Sequence, residues 1–486
     1  MLIPRIKHIW EYLQCINFIF DSDHISEKER LGEGFMIIKN FNDLSRKVLW
    51  KHALLILEEG LRAADPEASV KNTLSLRNDD FLCVRKSCLK IKGNIHVVGF
   101  GKASYKMLRG VIERLGDKVR GGIVITHNPE WIGRYGNVEV VLGNHPIPGT
   151  DTINSSIKLL NYIEENVSRE DIVIVLISGG GSALFEKPLE PITLNDLSKL
   201  NELLLKSGAD IYEINAVRKH VSSVKGGKLA KIISPAKVIA LIISDVVGDP
   251  LEAIASGPTA PDPTTFNDAY KILKRRGIWE SIPQSVKEII TKGMKGEIEE
   301  TPKPGDKVFE NVINVIVASN VISLEAMARK ARELGYEALI LTSMMEGEAR
   351  EVGKFLASIA KHIHKYGKYF KRPLAILLGG ETTVTVKGEG IGGRNQELAL
   401  SFSIHARGLK DVVLASIGSD GKDGVSDAAG AIVDGETYSN ALSMNLDPND
   451  YLERNDSYTI LSKLGSTIYT GPTGTNVNDL VVLLIR

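Results

Sequence analysis

"DIVIVLISGGGSALF", residues 171–185, joins six consecutive aliphatic residues, Ile172 to Ile177, to Ser178, three glycines and Ser182. An unbroken aliphatic run of this length reads as a strand buried on both faces, the kind found in parallel sheets covered by helices. The glycines stand where such a strand leaves its sheet. Lacking a Cβ, they let main-chain N–H groups turn toward a ligand, usually an anion. A tight strand-to-helix turn that holds nothing explains the same residues, so this stretch leaves both readings open.

Outward from it, short aliphatic runs recur with helical patterns between them. They lie at 95–100, 121–126, 138–142 and 238–243, then at 313–318, 338–342, 374–378, 412–417 and 481–485. Strands alternating with helices predict an α/β protein with largely parallel, helix-covered, Rossmann-like sheets. The 486-residue chain is too long for one compact core, which predicts two domains. A stretch at 293–311 with Pro302, Pro304, several glycines and a run of acids has no apolar period, and places the boundary. The expected division is an appendage at 1–40, one α/β domain at 41–295, a linker at 296–311 and a second α/β domain at 312–486. Met36 is a candidate natural start.

Lys plus Arg and Asp plus Glu each number 60, so no global field exists to hold nucleic acid or an anionic membrane. Any substrate charge must be met locally. Cys15, Cys83 and Cys88 show no metal-ligand spacing and no disulfide framework, and the expected setting is reducing and cytoplasmic. No apolar run reaches the roughly 18 residues of a membrane span. The oligomeric state stays open, and a homo-oligomer is compatible with the sequence.

In doubly wound sheets ligands sit outside the carboxyl ends of the strands, so the loops there are read together. "GFGKAS" puts Lys102 at the opening of a helix, where an ammonium beside free amides favours a phosphate or carboxylate, although a solvated lysine is the plainer account. "GNHPIPGTDT" offers Asn144 and His145 inside a rigid Pro and Gly turn. "NAVRKHVSSVKGGKLAKII" sets Val217, Val221, Val224 and Leu229 on one helical face, with charge from Arg218, Lys219, Lys225, Lys228 and Lys231 and an interruption at Gly226 and Gly227. In "LIISDVVGDP", Asp245 and Asp249 supply hard oxygen ligands of the sort that suit Mg²⁺ together with phosphates. "LGGETTVTVKGEGIGGRNQE" repeats the opening device: a buried strand ends at Gly379, Gly380 and Glu381, and a short alternating strand leads to Arg394 at a helix start. That arginine is suited to two-point contact with a carboxylate or a phosphoryl group. Asp420, Asp423 and Asp427 lack the bidentate glutamate of an EF-hand loop and are kept as outer contributors. "TGPTGTNVNDL" adds hydroxyls and amides before the last strand.

"GFGKAS", "GNHPIPGTDT", "LISGGGSALF", "INAVRKHVSSVKGGKLA", "ISDVVGDPLEAIASGPTAPDPTTF", "GGETTVTVKGEGIGGRNQELAL" and "GTNVNDL", in this order from about residue 40 to the end, closely resemble the glycerate 2-kinase family with its C-terminal MOFRL part. The resemblance implies two α/β domains with the active site in the cleft between them. It implies ATP- and Mg²⁺-dependent phosphorylation of glycerate on its 2-hydroxyl. By that likeness Lys102, Arg394 and Asp245 are the catalytic candidates. Lys102, Ser178, Gly179, Gly180, Gly181, Ser182, Gly379, Gly380 and Glu381 are expected to hold ATP. Asn144, His145, Arg218 and Arg394 are expected to hold glycerate, with Asp245 and Asp249 on the metal. "THNPEW" at 126–131 matches no motif of the family and receives no role. The rival readings are an NAD(P)H-dependent hydroxypyruvate reductase, for which no clean G-x-G-x-x-G follows any strand, and a non-catalytic sugar-acid or nucleotide sensor.

Overall fold

The computed structural model describes residues 36–367 and 370–486; the readings made on residues 1–35 lie outside them. The run at 172–177 forms strand β8 (Ile172–Ile177), and alternation decides its packing. Ile172, Ile174 and Leu176 enter one buried cluster with Met107 and Val111, while Val173, Val175 and Ile177 enter another with Leu159 and Leu229. Successive side chains point to opposite faces, so a strand apolar at every position is stable only between two helix layers. Each such side chain contributes about 1.5–3 kcal/mol when fully buried.

β8 is an interior strand of a seven-stranded sheet. Its order is β10 (Val312–Ala318), β9 (Lys237–Ile243), β8, β4 (Ile95–Phe100), β5 (Val119–Thr126), β7 (Val138–Leu142) and β6 (Gly133–Tyr135). All pairs are parallel except β7 with β6. The second sheet has six strands, ordered β11 (Glu337–Met345), β12 (Leu374–Gly380), β16 (Asp479–Ile485), β13 (Val412–Gly418), β14 (Gly430–Asp434) and β15 (Thr467–Ile468). Only β11 and β12 pair in parallel there. Parallel pairing needs a crossover connection. β16 is instead entered from a loop at the carboxyl ends of β12 and β13, so it runs down between them. The α/β class with helix-covered, parallel-rich sheets holds, and the second sheet is mixed.

All ten anticipated strands form. Those not anticipated are short: β6, β14, β15 and a small antiparallel sheet of β1 (Leu74–Arg77), β2 (Phe81–Val84) and β3 (Ser87–Lys90). The alternating strand expected between Glu381 and Gly392 does not form. Thr383 makes an isolated bridge to Glu348, while the amides of Lys387 and Gly388 donate to Asn455 Oδ1 at 2.7 and 3.0 Å. That side chain takes the place of a neighbouring strand.

Several organisational expectations are corrected. Residues 296–311 do not act as a tether between sheets: Glu300 accepts from His220 and from the Phe266 amide, Thr301 is buried, and β10, which follows, still belongs to the first sheet. The helix Val48–Ala63 instead packs with the helix Asn320–Glu333 under the second sheet, in a cluster containing Leu54, Leu57, Met327, Leu480 and Val482. The described residues therefore begin on the second sheet, cross to the first and return after Ala318. Residues 37–40 are part of the fold: Ile38 is buried, and the amides of Ile37 and Ile38 donate to the Glu58 carboxylate. Cys83 and Cys88, paired across β2 and β3, form a disulfide, which removes the cysteine-based ground for a reducing setting. The single helical face expected at 217–229 is split, because Gly226 and Gly227 adopt left-handed φ of 59° and 80°. Val217 and Val221 pack into a helical cluster with Phe266 and Leu273, and Val224 and Leu229 pack under β8. Among the described residues no helix is long and apolar enough to cross a membrane.

Candidate active site

The loops at the carboxyl ends of β4, β7, β8, β9 and β12 converge with the entry to β16. Gly101 brings the loop after β4 close to the loop after β8: its left-handed φ of 122° sets its backbone against Ser178, where a side chain would collide. Ser178 is buried, and its Oγ accepts from the Ala103 amide at 3.0 Å while the Lys102 amide donates to Gly179 O at 2.9 Å. These bonds lock the lysine loop to the glycine loop. Ser178 is consumed by this work.

The glycines that follow are required by close approach. A Cβ on Gly179 would strike the Asp245 carboxylate, and Gly180, at φ 77°, presents its backbone to the His145 ring and the Lys102 stem. The Gly179 and Gly180 amides have no hydrogen-bond partner among the described residues. The helix that follows is a single turn, Gly181–Leu184, so those amides rather than a macrodipole supply the anion-binding capacity. Gly181 packs on Ala255 and Phe100. Ser182 Oγ bonds to Ser256 Oγ at 2.9 Å, and Ser256 in turn donates to Asn215, so Ser182 points into the protein. Lys225 holds the far end of the turn, its buried ammonium donating to the carbonyls of Ser182 and Phe185 and pairing with Glu186 at 3.1 Å.

Lys102 is exposed, with no side-chain partner among the described residues, and its charge is felt by three neighbours. It draws down the carboxyl of Asp245, whose pKa is nevertheless raised, mainly by burial and also by Glu381. The imidazole of His127 lies below its ordinary range through burial and Lys102, and His145 is lowered to about 4 by burial, Lys102 and His127. His145 is neutral at pH 7 in consequence. His127, whose ring centroid lies 6.2 Å from that of His145, was not anticipated. Its signal was the polar "THN" directly after a buried strand.

From the second sheet come Glu381 and Arg394. Gly380 (φ 140°) is pressed against the Met345 backbone and delivers Glu381, whose amide donates to Met345 O. Gly379 leaves room only for the Asn320 side chain. Arg394, at the first position of the helix Arg394–His405, donates from Nη1 to Glu381 Oε1 at 2.6 Å. Its expected two-point carboxylate contact exists inside the chain: Nε and Nη2 donate to Asp479 Oδ2 and Oδ1 at 2.7 and 3.0 Å. Burial alone would lower its pKa, and Asp479 and Glu381 more than offset this and raise it. Asp479 was not anticipated; an acid opening an otherwise apolar last strand was the available signal. Asp423 caps this same helix, accepting from the Asn395 and Gln396 amides at 3.1 and 2.8 Å.

Three anticipated ligands are engaged elsewhere. Asn144 caps the helix Thr150–Asn166, exchanging bonds with Thr152 and donating to Asp151. Arg218 Nε donates to Asn201 Oδ1 at 2.7 Å and is not brought to the Lys102 and Asp245 group by any described contact. The pKa of Asp249, itself at φ 55°, is raised by burial, against the opposing influence of the Ser244 and Ser319 hydroxyls. No described hydrogen bond links it to Asp245, and no group of three or more metal-ligating side chains occurs among the described residues.

An α/β scaffold with unused amides, a lysine, an arginine and a carboxylate at strand ends defines a class of protein that handles small anions. The comparisons narrow it. Residues 374–479 match the MOFRL family model, and residues 52–291 match a domain of unknown function, DUF4147. The glycerate 2-kinase of Pyrococcus horikoshii is 46% identical, over 89% of this chain and 96% of that one. The D-glycerate 2-kinase of Thermotoga maritima is 44% identical, over 90% and 98%. A crystal structure of the Thermotoga maritima glycerate kinase superposes with a TM-score of 0.80 at 42% identity, covering 90% of this chain and 99% of that one. The chain belongs to the glycerate 2-kinase family and is an enzyme of that kind.

Proposed function

We propose that the protein transfers the γ-phosphoryl group of ATP to the 2-hydroxyl of glycerate, giving 2-phosphoglycerate and ADP with Mg²⁺ as the divalent ion. The observation that carries this reading is the convergence at Asp245. Its carboxylate lies against Gly179 and feels Lys102 from the first sheet and Glu381 from the second, and Glu381 is bonded to Arg394. Cations from two sheets, Lys102 and Arg394, beside two unused amides favour a polyanion.

Phosphoryl transfer asks a protein for positioning and charge neutralisation. The Gly179 and Gly180 amides bind phosphate oxygens. Lys102 offsets charge on the transferring group, and Arg394 keeps donors beyond those spent on Asp479 and Glu381 for the glycerate carboxylate. The substrate's 2-oxygen forms a bond to the γ-phosphorus as the bond to the β,γ-bridging oxygen breaks, and ADP leaves. The hydroxyl proton needs an acceptor, and the neutral imidazole of His145 has the right protonation state. The half-buried carboxylate of Asp245 suits Mg²⁺, which keeps several waters and binds one or two carboxylates plus phosphates; the ion supplies charge neutralisation when bound. Asp249, with no described hydrogen bond to Asp245, is the weaker ligand. Ser178, Ser182 and Asn144 shape the loops, and Arg218 is bonded to Asn201 on a neighbouring helix.

The test supplies D-glycerate, ATP and Mg²⁺, measures ADP, and couples product to enolase without phosphoglycerate mutase. Phosphoenolpyruvate is expected. ADP without phosphoenolpyruvate would overturn attack from the 2-hydroxyl, and no ADP from folded protein would overturn the kinase reading.

A further inference from the structure

We infer that Asp479 is the positioning residue that aims Arg394, acting through the guanidinium rather than on the substrate; this rests on the role proposed for Arg394. A cation at the first position of a helix faces the positive end of the macrodipole, so the helix itself does not favour Arg394 there. Nor does the helix need it, because Asp423 already accepts from the first free amides. The arginine is held by a separate carboxylate.

Asp479 is 0% exposed at the first position of β16, in register with Gly380 on one side and Gly418 on the other. Burying a carboxylate is costly unless it is paired and its lone pairs are filled. Here Oδ2 takes Arg394 Nε, and Oδ1 takes Nη2 and the Asn395 side-chain amide at 2.9 Å. Asn395 is anchored in its turn by Ser416 Oγ, and the Asp479 carbonyl accepts from Asn320 Nδ2. The carboxylate is thus fixed by three elements. The arginine side chain keeps 31% exposure, and its Nη1 edge faces the exposed Glu381. A planar fork gripped at Nε and Nη2 has one orientation, which directs the remaining donors outward.

The experiment uses the full chain and compares turnover in Asp479→Asn, Arg394→Ala, Arg394→Lys and the Asp479→Asn/Arg394→Ala double variant, with folding followed by circular dichroism. Asp479→Asn is expected to lower kcat on the order of ten- to hundredfold, as loss of an orienting partner does elsewhere. Arg394→Lys, which keeps the charge and cannot grip two oxygens, should fall similarly. The decisive readout is chemical rescue. Dilute guanidinium chloride should restore part of the turnover of Arg394→Ala, because the free ion docks on Asp479, and should restore none in the double variant. Equal rescue in both, or wild-type kcat in Asp479→Asn or Arg394→Lys, would overturn the inference while leaving the Arg394 reading intact if Arg394→Ala is impaired. Near-normal turnover in Arg394→Ala would overturn both.

Discussion

Lys102 and His145 show at the residue scale how a neighbouring charge adds to the effect of burial. The Lys102 stem and the His145 ring both border Gly180, and after burial the lysine's charge is the next cause that disfavours the imidazolium. Lys102→Ala is therefore expected to raise the His145 pKa from about 4 toward the ordinary histidine range, read by NMR titration of the ring protons. An unmoved titration would mean that burial alone sets it. The same variant should lose turnover on the order of a hundredfold or more, the effect of removing one preorganised transition-state contact. Lys102 was legible because "GFGKAS" places it by local rules, just past a strand. The partner of Arg394 was not legible: Asp479 lies 85 residues away, and only the antiparallel register of β16 with β12 brings it near.

At the scale of elements, the helix Ile211–Val221 opens with a capping box in which Asp210 and Glu213 exchange bonds, and Glu213 also binds Arg275 and Arg276 from the end of the neighbouring helix. Hydrogen bonding to Arg276 leads the causes that hold its carboxyl at about 2, against an ordinary 4.5. A carboxyl whose folded pKa is depressed stabilises the fold fully above its unfolded pKa and loses that contribution as pH falls through the folded value. Glu213→Gln should accordingly be less stable than wild type at pH 7, with the gap closing between about pH 4.5 and 2 in urea-denaturation midpoints. A gap constant with pH would remove the ion pairs from the account. The strands of both sheets were readable because an aliphatic run has few other places to go. The short segment after Glu381 misled, since alternation signals a strand only where a partner strand is available, and Asn455 stands there instead. The lysines of 215–233 carry no mark of their surroundings: Lys219 and Lys225 stand among the other charges of the stretch, yet both are buried against Asp262 and Glu186.

For the whole molecule, Lys102 and Arg394 project from different sheets, so a substrate pair that binds both adds a bridge between them. Small-angle scattering is expected to show a smaller radius of gyration with glycerate and a non-hydrolysable nucleotide together than with neither, since closure excludes water from a phosphoryl transfer. Unchanged dimensions would mean that the site is already formed without ligand. The α/β class, the central strands and the glycine, lysine and arginine loops follow from local composition, because apolar runs dictate burial and glycine dictates close approach wherever they occur. Which sheet each strand joins, how Asp479 meets Arg394, and which polar residues stay free for a ligand depend on contacts between distant segments. The first and last of the described residues share one core, Leu57 with Leu480, and no pattern within either part carries that pairing. Burial and charge pairing are settled by what lies across the gap, and that is a property of the folded chain.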